Sequence, residues 1–290
     1  VSQRGTAAVT ATTSAQYRCV DRYKTDIDGS GGGDFSHAQS TDVPTGQGFR
    51  HSSKFTTVTQ ASQPTSESNH HQVYQMLEKQ DVYHLEWGTS NAKTCTLSFW
   101  VKGSITGTYG FWFAFYGGGN YYYWTNYTIN SANTWEKHVV VFPGDTTGAF
   151  VNDTSKCCYF AFWGGAGTTY NGGSYTSSWH TNNNQRAGGG TANIFDSTSN
   201  DFYMTGFQIE VGDTATAFEH RTYAEEFQLC QRYYQDWQDY THPAHRGLDS
   251  NYDGHIIIDT LRINMRANPT ITSTSYGWIA DGNSWTDGSN

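Results

Sequence analysis

The sequence predicts an all-β protein built on a two-sheet β-sandwich, and three observations predict it. Apolar and aromatic residues alternate with polar ones from Tyr17 to Val211, turn clusters rich in Gly and Asn punctuate those runs, and helical periodicity is confined to one short segment. A parallel β-helix would need a fixed-period repeat, and the chain has none. Composition agrees. The 290 residues are 16% aromatic and only 15% charged, with 31 glycines, which excludes a disordered chain.

The elements follow in chain order. Asp26, Asp28 and Asp34 flank the run Gly29 to Gly33, which reads as a hairpin tip. They form the best carboxylate cluster of the chain and could hold a structural Ca2+, although they miss the calcium-loop spacing. No other cofactor is expected. Leu97, Phe99 and Val101 alternate with Ser98, Trp100 and Lys102, the period-2 pattern of a half-buried strand. The next run puts Tyr109, Phe111, Phe113 and Phe115 on one face and Gly110, Trp112, Ala114 and Tyr116 on the other. Strands over 121–129, 138–142, 159–163 and 202–211 continue the series, with turns at Gly117 to Asn120, Asn130 to Asn133 and Pro143 to Asp145.

Thr222 and Glu225 then form a capping box, in which hydroxyl and carboxylate each satisfy a free backbone N–H at a helix start. Tyr223, Phe227, Cys230, Tyr234 and Trp237 recur along one side of that helix at a coiled-coil spacing. The stripe can pack on the helix's own sandwich or make a symmetric contact between chains. The predicted organisation is an N-terminal arm over 1–16, the sandwich over 17–220, a linking helix over 221–237 and a small C-terminal β domain over 238–290, which the Gly/Asn-rich tail ends or truncates. A chain that opens on Val1 rather than Met, without a signal-peptide pattern, is expected to be processed or partial.

Charge and cysteines bound the function classes. A net charge of −9 with 17 Lys plus Arg argues against a nucleic-acid backbone partner, and no run reaches the ~20 apolar residues of a membrane-spanning helix. Cys19, Cys95, Cys157, Cys158 and Cys230 are odd in number and lack metal or redox spacing, so they read as buried free thiols. No phosphate loop, zinc-protease pair or nucleophile elbow is present. His70-His71 and the His242/His245 pair read as solvent-facing, and Glu210 and Glu219, the carboxylates a glycosidase reading would use, read as structural.

The surplus of rings is the informative feature. With Leu97, Phe99, Val101, Phe111, Phe113, Phe115, Phe207 and Ile209 filling the core, Trp100, Trp112, Tyr116, Tyr122 and Trp124 fall on opposite faces. Tyr170, Tyr175, Trp179 and His180 join them from loops rich in Asn. Flat rings suit the C–H side of a sugar, while amides and carboxylates take its hydroxyls. The same rings can equally serve a subunit interface or pack beneath loops. Convergence of Trp112, Trp124, Tyr170 and Trp179 in an open groove would favour binding. Burial between chains would favour a structural role.

Three stretches carry a resemblance. Thr96 to Ser104 with Thr106 to Tyr109, then Tyr127 to Lys137 with Phe142 to Gly148, and finally Thr205 to Gly212 through Phe218 to Arg221 and Glu225 to Tyr234 resemble the sandwich of tail-fibre and receptor-binding-type structural proteins of marine and cyanobacterial tailed phages. The similarity spans roughly residues 15–270, with Ala217 standing where related sequences often have Pro. It implies a jelly roll like that of carbohydrate-binding modules, in a virion component assembled in the host cytoplasm and working outside the cell. It further implies a homotrimer, contacts with other virion proteins and a host-surface polysaccharide as ligand, without enzymatic activity. The alternatives are a capsid or tail decoration protein without a glycan ligand, and a polysaccharide depolymerase.

Overall fold

The computed structural model describes residues 2–11, 15–28, 33–60, 70–116, 118–149, 156–171, 178–181, 190, 192–235, 263–267, 277–280 and 283–286. The chain divides into two compact units, Val1–His242 and Pro243–Asn290. In chain order the first unit contains β1 (Val9–Ala11), β2 (Gln16–Tyr17), β3 (Tyr23–Asp28), β4 (Asp34–Ser40), β5 (Ser52–Thr59), β6 (His70–Glu78), the short helix α1 (Lys79–Val82), β7 (Cys95–Gly103), β8 (Gly107–Tyr116), β9 (Asn120–Ile129), β10 (Glu136–Phe142), β11 (Lys156–Ala166), α2 (Thr168–Asn171), β12 (Trp179–His180), β13 (Asp201–Val211) and α3 (Tyr223–Gln231). In the second unit β14 (Gly277–Ala280) and β15 (Asn283–Thr286) form an antiparallel hairpin. The strand expected after His255 lies outside the described residues.

Two antiparallel sheets make the predicted jelly-roll β-sandwich. One has the order β1-β4-β5-β13-β7-β10 and the other β12-β9-β8-β11-β6-β3-β2. Within residues 1–16, the expected N-terminal arm, β1 pairs with β4 and buries Ala11, and β2 begins at Gln16 against β3, so an edge of each sheet comes from this segment. Leu97, Phe99 and Val101 from β7 meet Phe111, Phe113 and Phe115 from β8 between the sheets, all 0–1% exposed as their alternation predicts. Phe207 and Ile209 pack against this core as expected, although Phe202 and Met204 precede them on the same face. A bulge between Thr205 and Gln208 makes the change of phase, with Gly206 at φ +66° turning the strand by one residue. A Cβ on Gly206 would sit 2.5 Å from the Phe49 ring, so both space and backbone demand glycine.

The capping box of α3 forms as read, Glu225 N donating to Thr222 Oγ1 and Thr222 N to the Glu225 carboxylate. The helix stops at Gln231, short of the expected 237, because the next residues turn onto the sandwich. The Arg232 guanidinium grips Glu78 with two 2.8 Å bonds, and Tyr233 Oη donates to the same carboxylate at 2.8 Å. The Arg4 guanidinium lies 3.7 Å from the Tyr234 ring centroid. The predicted stripe therefore divides: Tyr223 is 73% exposed and stacks on half-buried Phe227, whereas Cys230 is 1% exposed within its own chain. As a contact residue between chains Cys230 is corrected, since it is buried within its own chain, while Tyr234 is half-buried beside Arg4. Trp237 lies outside the described residues.

Candidate functional site

The seven-stranded sheet carries most of the rings singled out by sequence. Alternation does turn Trp112, Tyr122 and Trp124 away from the main core, with Trp112 opposite Trp124 and Ala114 opposite Tyr122. They do not reach solvent. Together with Tyr74, Ala161, Trp163 and Ala166 they form a second buried cluster, in which Trp112 is 0% exposed, Trp124 2% and Tyr122 6%. Trp112 Nε1 donates to Gln72 Oε1 at 3.3 Å, and its ring meets those of Tyr122 at 5.3 Å and Tyr159 at 4.8 Å. Trp124 stacks on His180 with centroids 4.5 Å apart. Tyr116 stacks on Tyr159, and Tyr170 of α2 meets Trp163, both half-buried at the margin. Trp112, Tyr122 and Trp124 as glycan-binding residues are thus corrected: they form an aromatic layer on the outer side of the sheet and line no open groove. A sheet whose strands are apolar on both faces is stable only when both are covered.

Trp179 belongs elsewhere. On the edge strand β12 it packs against Trp87 and Tyr123 beside the main core, and its Nε1 donates to the Pro143 carbonyl at 2.7 Å. It does not converge with Trp112, Trp124 and Tyr170, and Tyr175 lies outside the described residues.

A further group of rings lies on the outer face of the six-stranded sheet, where Trp100 and Trp135 are half-exposed and Tyr203 is buried, at 9% exposure. β7 presents Trp100 and Lys102 outward, because Phe99 and Val101 are in the core. β13 sets Tyr203 beside Lys102, and β5 sets Lys54 on the far side of Tyr203. Trp135, one residue before β10, closes the row, its ring 6.2 Å from Tyr203 at 65°. Lys102 Nζ lies 4.4 Å from the Tyr203 centroid and 5.7 Å from that of Trp135, and Lys54 Nζ lies 5.3 Å from Tyr203. Both ammoniums are paired, Lys54 with Asp201 at 3.1 Å and Lys102 with Asp42. Trp100 stands in the next row, between Lys137 and Thr205. It is half-exposed, with no ring or hydrogen-bond partner among the described residues.

The arrangement offers the Trp135 indole against the Tyr203 ring, flanked by two lysine–aspartate pairs, with the Trp100 indole in the next row of the same face. Such a face can accept the C–H side of a planar or ring-shaped polar ligand while its rim exchanges hydrogen bonds. Sequence alternation points Trp100 outward. Nothing local links Trp135, Tyr203, Lys54 and Asp42 to it, because β13 enters between β5 and β7 from a distant part of the chain.

The remaining candidates serve the fold. Asp26 accepts from Gln72 at 2.9 Å on β3, and Asp34 accepts from Thr59 at 3.0 Å on β4 of the other sheet. The side chain of Asp28 lies outside the description, and among the described residues no three His, Cys, Asp or Glu gather as a metal site. Glu210 receives Thr216 N at 3.1 Å together with the Thr216 hydroxyl. Partial burial would raise the Glu210 carboxyl, but hydrogen bonds from Thr216 and Gln208 outweigh it and hold the group below the ordinary glutamate range. Cys19, Cys95 and Cys230 are free and buried as read, and burial pushes their thiols up to about 11, 12 and 11.

No protein-family model and no curated protein matches this chain. Among solved structures it is similar to the enzymatically active domain of tailspike protein 4 of bacteriophage CBA120, at 12% identity and TM-score 0.38, covering 66% of this chain and 19% of that one. The chain thus spans about a fifth of the tailspike chain. It is also similar to the family 11 carbohydrate-binding module of the Clostridium thermocellum cellulase Lic26A-Cel5E, at 12% identity and TM-score 0.35, with 70% and 97% covered. The xylan-binding CBM22-2 domain of Paenibacillus barcinonensis Xyn10C is similar at 15% identity and TM-score 0.35, with 65% and 91% covered.

Proposed function

We propose that this chain is a non-enzymatic glycan-binding protein of a tailed-phage virion, a tail fibre or receptor-binding protein that holds host-surface polysaccharide on the outer face of its six-stranded sheet. One observation carries the binding reading: Trp100 and Trp135 stand half-exposed on the same sheet face, beside Tyr203 and two lysine–aspartate pairs, while most other large rings are buried. Stacking of a sugar on such rings needs no cofactor. The virion setting, trimeric state and extracellular site of action rest on the sequence resemblance.

A second reading has its own observation. Val139 and Val141 are 48 and 43% exposed on β10 at the sheet edge, and an apolar edge of this kind suits assembly with another virion protein. Binding of the recombinant chain to host-cell surface polysaccharide separates the two. Saturable binding is expected, with a Trp100→Ala, Trp135→Ala variant losing about tenfold or more per ring, roughly 1.4 kcal/mol each, at unchanged thermal stability. Trp112→Ala is the contrast: it should cost about 3–5 kcal/mol of stability, because it empties a buried site. A folded wild type that binds no host polysaccharide would leave the assembly reading.

A further inference from the structure

We infer that Asp42 is the positioning residue of the open face: its carboxylate fixes the orientation in which Trp135 presents its ring, and Lys102 holds that carboxylate in place. The consequence for affinity rests on the glycan reading, whereas the geometry does not.

Trp135 ends a turn, and the backbone below it is already rigid. The Glu136 carboxylate accepts from Asn130 N at 2.9 Å and Ser131 N at 2.7 Å, and Asn133 takes the left-handed conformation at φ +56°. What remains free is the rotation of the indole itself. Asp42, from the loop after β4, removes it. Trp135 Nε1 donates to Asp42 Oδ1 at 2.9 Å, and Lys102 Nζ donates to the other oxygen, Oδ2. Asp42 is itself held at both ends, its N–H donating to Ser40 Oγ at 3.1 Å and its carbonyl accepting from Ser52 Oγ at 2.6 Å. A loop residue whose backbone is tied twice and whose carboxylate bridges a cation and an indole is a built support. Partial burial would raise its carboxyl, but the hydrogen bonds from Lys102 and Trp135 outweigh it and keep the group below the usual aspartate range.

A ligand class follows. With its N–H on Asp42, Trp135 offers its π face, and the charges of Lys54 and Lys102 are balanced by Asp201 and Asp42 while N–H donors remain for ligand hydroxyls. Recognition at this ring is by stacking, which fits the C–H face of a pyranose better than a carboxylate or sulfate group.

The test is the indole N–H signal of Trp135 in proton–nitrogen spectra of the full chain, assigned by its disappearance in Trp135→Phe. In Asp42→Ala that signal should move and exchange with water at least about tenfold faster, the other indole signals should stay in place, and glycan affinity should fall about tenfold. Asp42→Asn keeps an acceptor for the indole, so it should restore both the signal and most of the affinity. A Trp135 signal unmoved in Asp42→Ala would overturn the inference, as would a moved signal with full affinity while Trp135→Phe binds poorly. If the signal moves but the wild type binds no glycan, Asp42 still positions Trp135 and the glycan reading alone fails.

Discussion

His37 on β4 faces the core at 0% exposure, stacked on the Phe55 ring with centroids 4.5 Å apart and Nε2 2.6 Å from Ser53 Oγ. Its Nδ1 is buried without a hydrogen-bond partner. An imidazolium there would have neither water nor a counter-charge. Burial, with the nearby Arg18 charge adding to it, pushes the His37 pKa down to about 3. The folded chain therefore keeps His37 neutral where the unfolded chain, at an ordinary ~6.5, takes up a proton. Because the folded value is the lower one, nothing is lost above pH ~6.5. Below it, stability falls by about 1.4 kcal/mol per pH unit from this residue, until pH reaches the folded value. Urea unfolding at pH 7 and pH 5 should show the wild type losing about 2 kcal/mol more than His37→Gln, which still offers Ser53 a polar partner. Equal losses in the two proteins would remove His37 as the source.

Among the elements, α3 depends on one tertiary clamp more than on its own length. Nine residues make a marginal helix, and the capping box adds only about 1 kcal/mol. The Glu78 side chain is 2% exposed and Arg232 25%, so removing the guanidinium strands a carboxylate at the end of β6. Arg232→Met should cost about 3 kcal/mol or more, read by urea unfolding, and Glu78→Gln in the same chain should recover part of it. A loss below about 1 kcal/mol would mean that the pair behaves as a surface ion pair. The two ends of this helix also mark what sequence can tell. Thr222 and Glu225 are three residues apart, and their cap is legible. Glu78 and Arg232 are 154 apart, and no local pattern joins them. The strands divide likewise: β7 to β11 and β13 carry enough pattern to be read, whereas His70 to Glu78, with polar residues at 70–72, 75 and 78 and no period-2 alternation, hides β6 in the interior of its sheet. For the rings, alternation assigns faces correctly but is silent on which face is covered, since cover comes from segments far away in sequence. Trp112 and Trp100 look alike in sequence, yet one is sealed and the other half-exposed.

At the scale of the whole molecule the two sheets are unequal. The seven-stranded sheet has an aromatic layer on each face, while the outer face of the six-stranded sheet is covered at Thr96 and Ser98 and leaves Trp100 and Trp135 half-exposed beside Lys54 and Lys102. Rigidity and exposure are thereby separated among the described residues, since the sealed layer backs the sandwich and Trp100 and Trp135 remain half-exposed. Everything in that arrangement belongs to the unit Val1–His242: both sheets, both buried clusters, α3 with its clamp, and the Asp42 support. A chain ending at residue 242 should accordingly fold alone, melt within about 2 °C of the full protein by calorimetry, and retain the glycan binding proposed for the full chain. A chain ending at residue 221 should melt markedly lower, because it loses Arg232 and Tyr233 from Glu78 and the Cys230 side chain from its buried site. Should 1–242 fail to fold where the full chain succeeds, residues 243–290 would have to supply part of the sandwich's stability. Should it fold but lose glycan, the ligand would have to touch the C-terminal unit as well as the Trp100–Trp135 face.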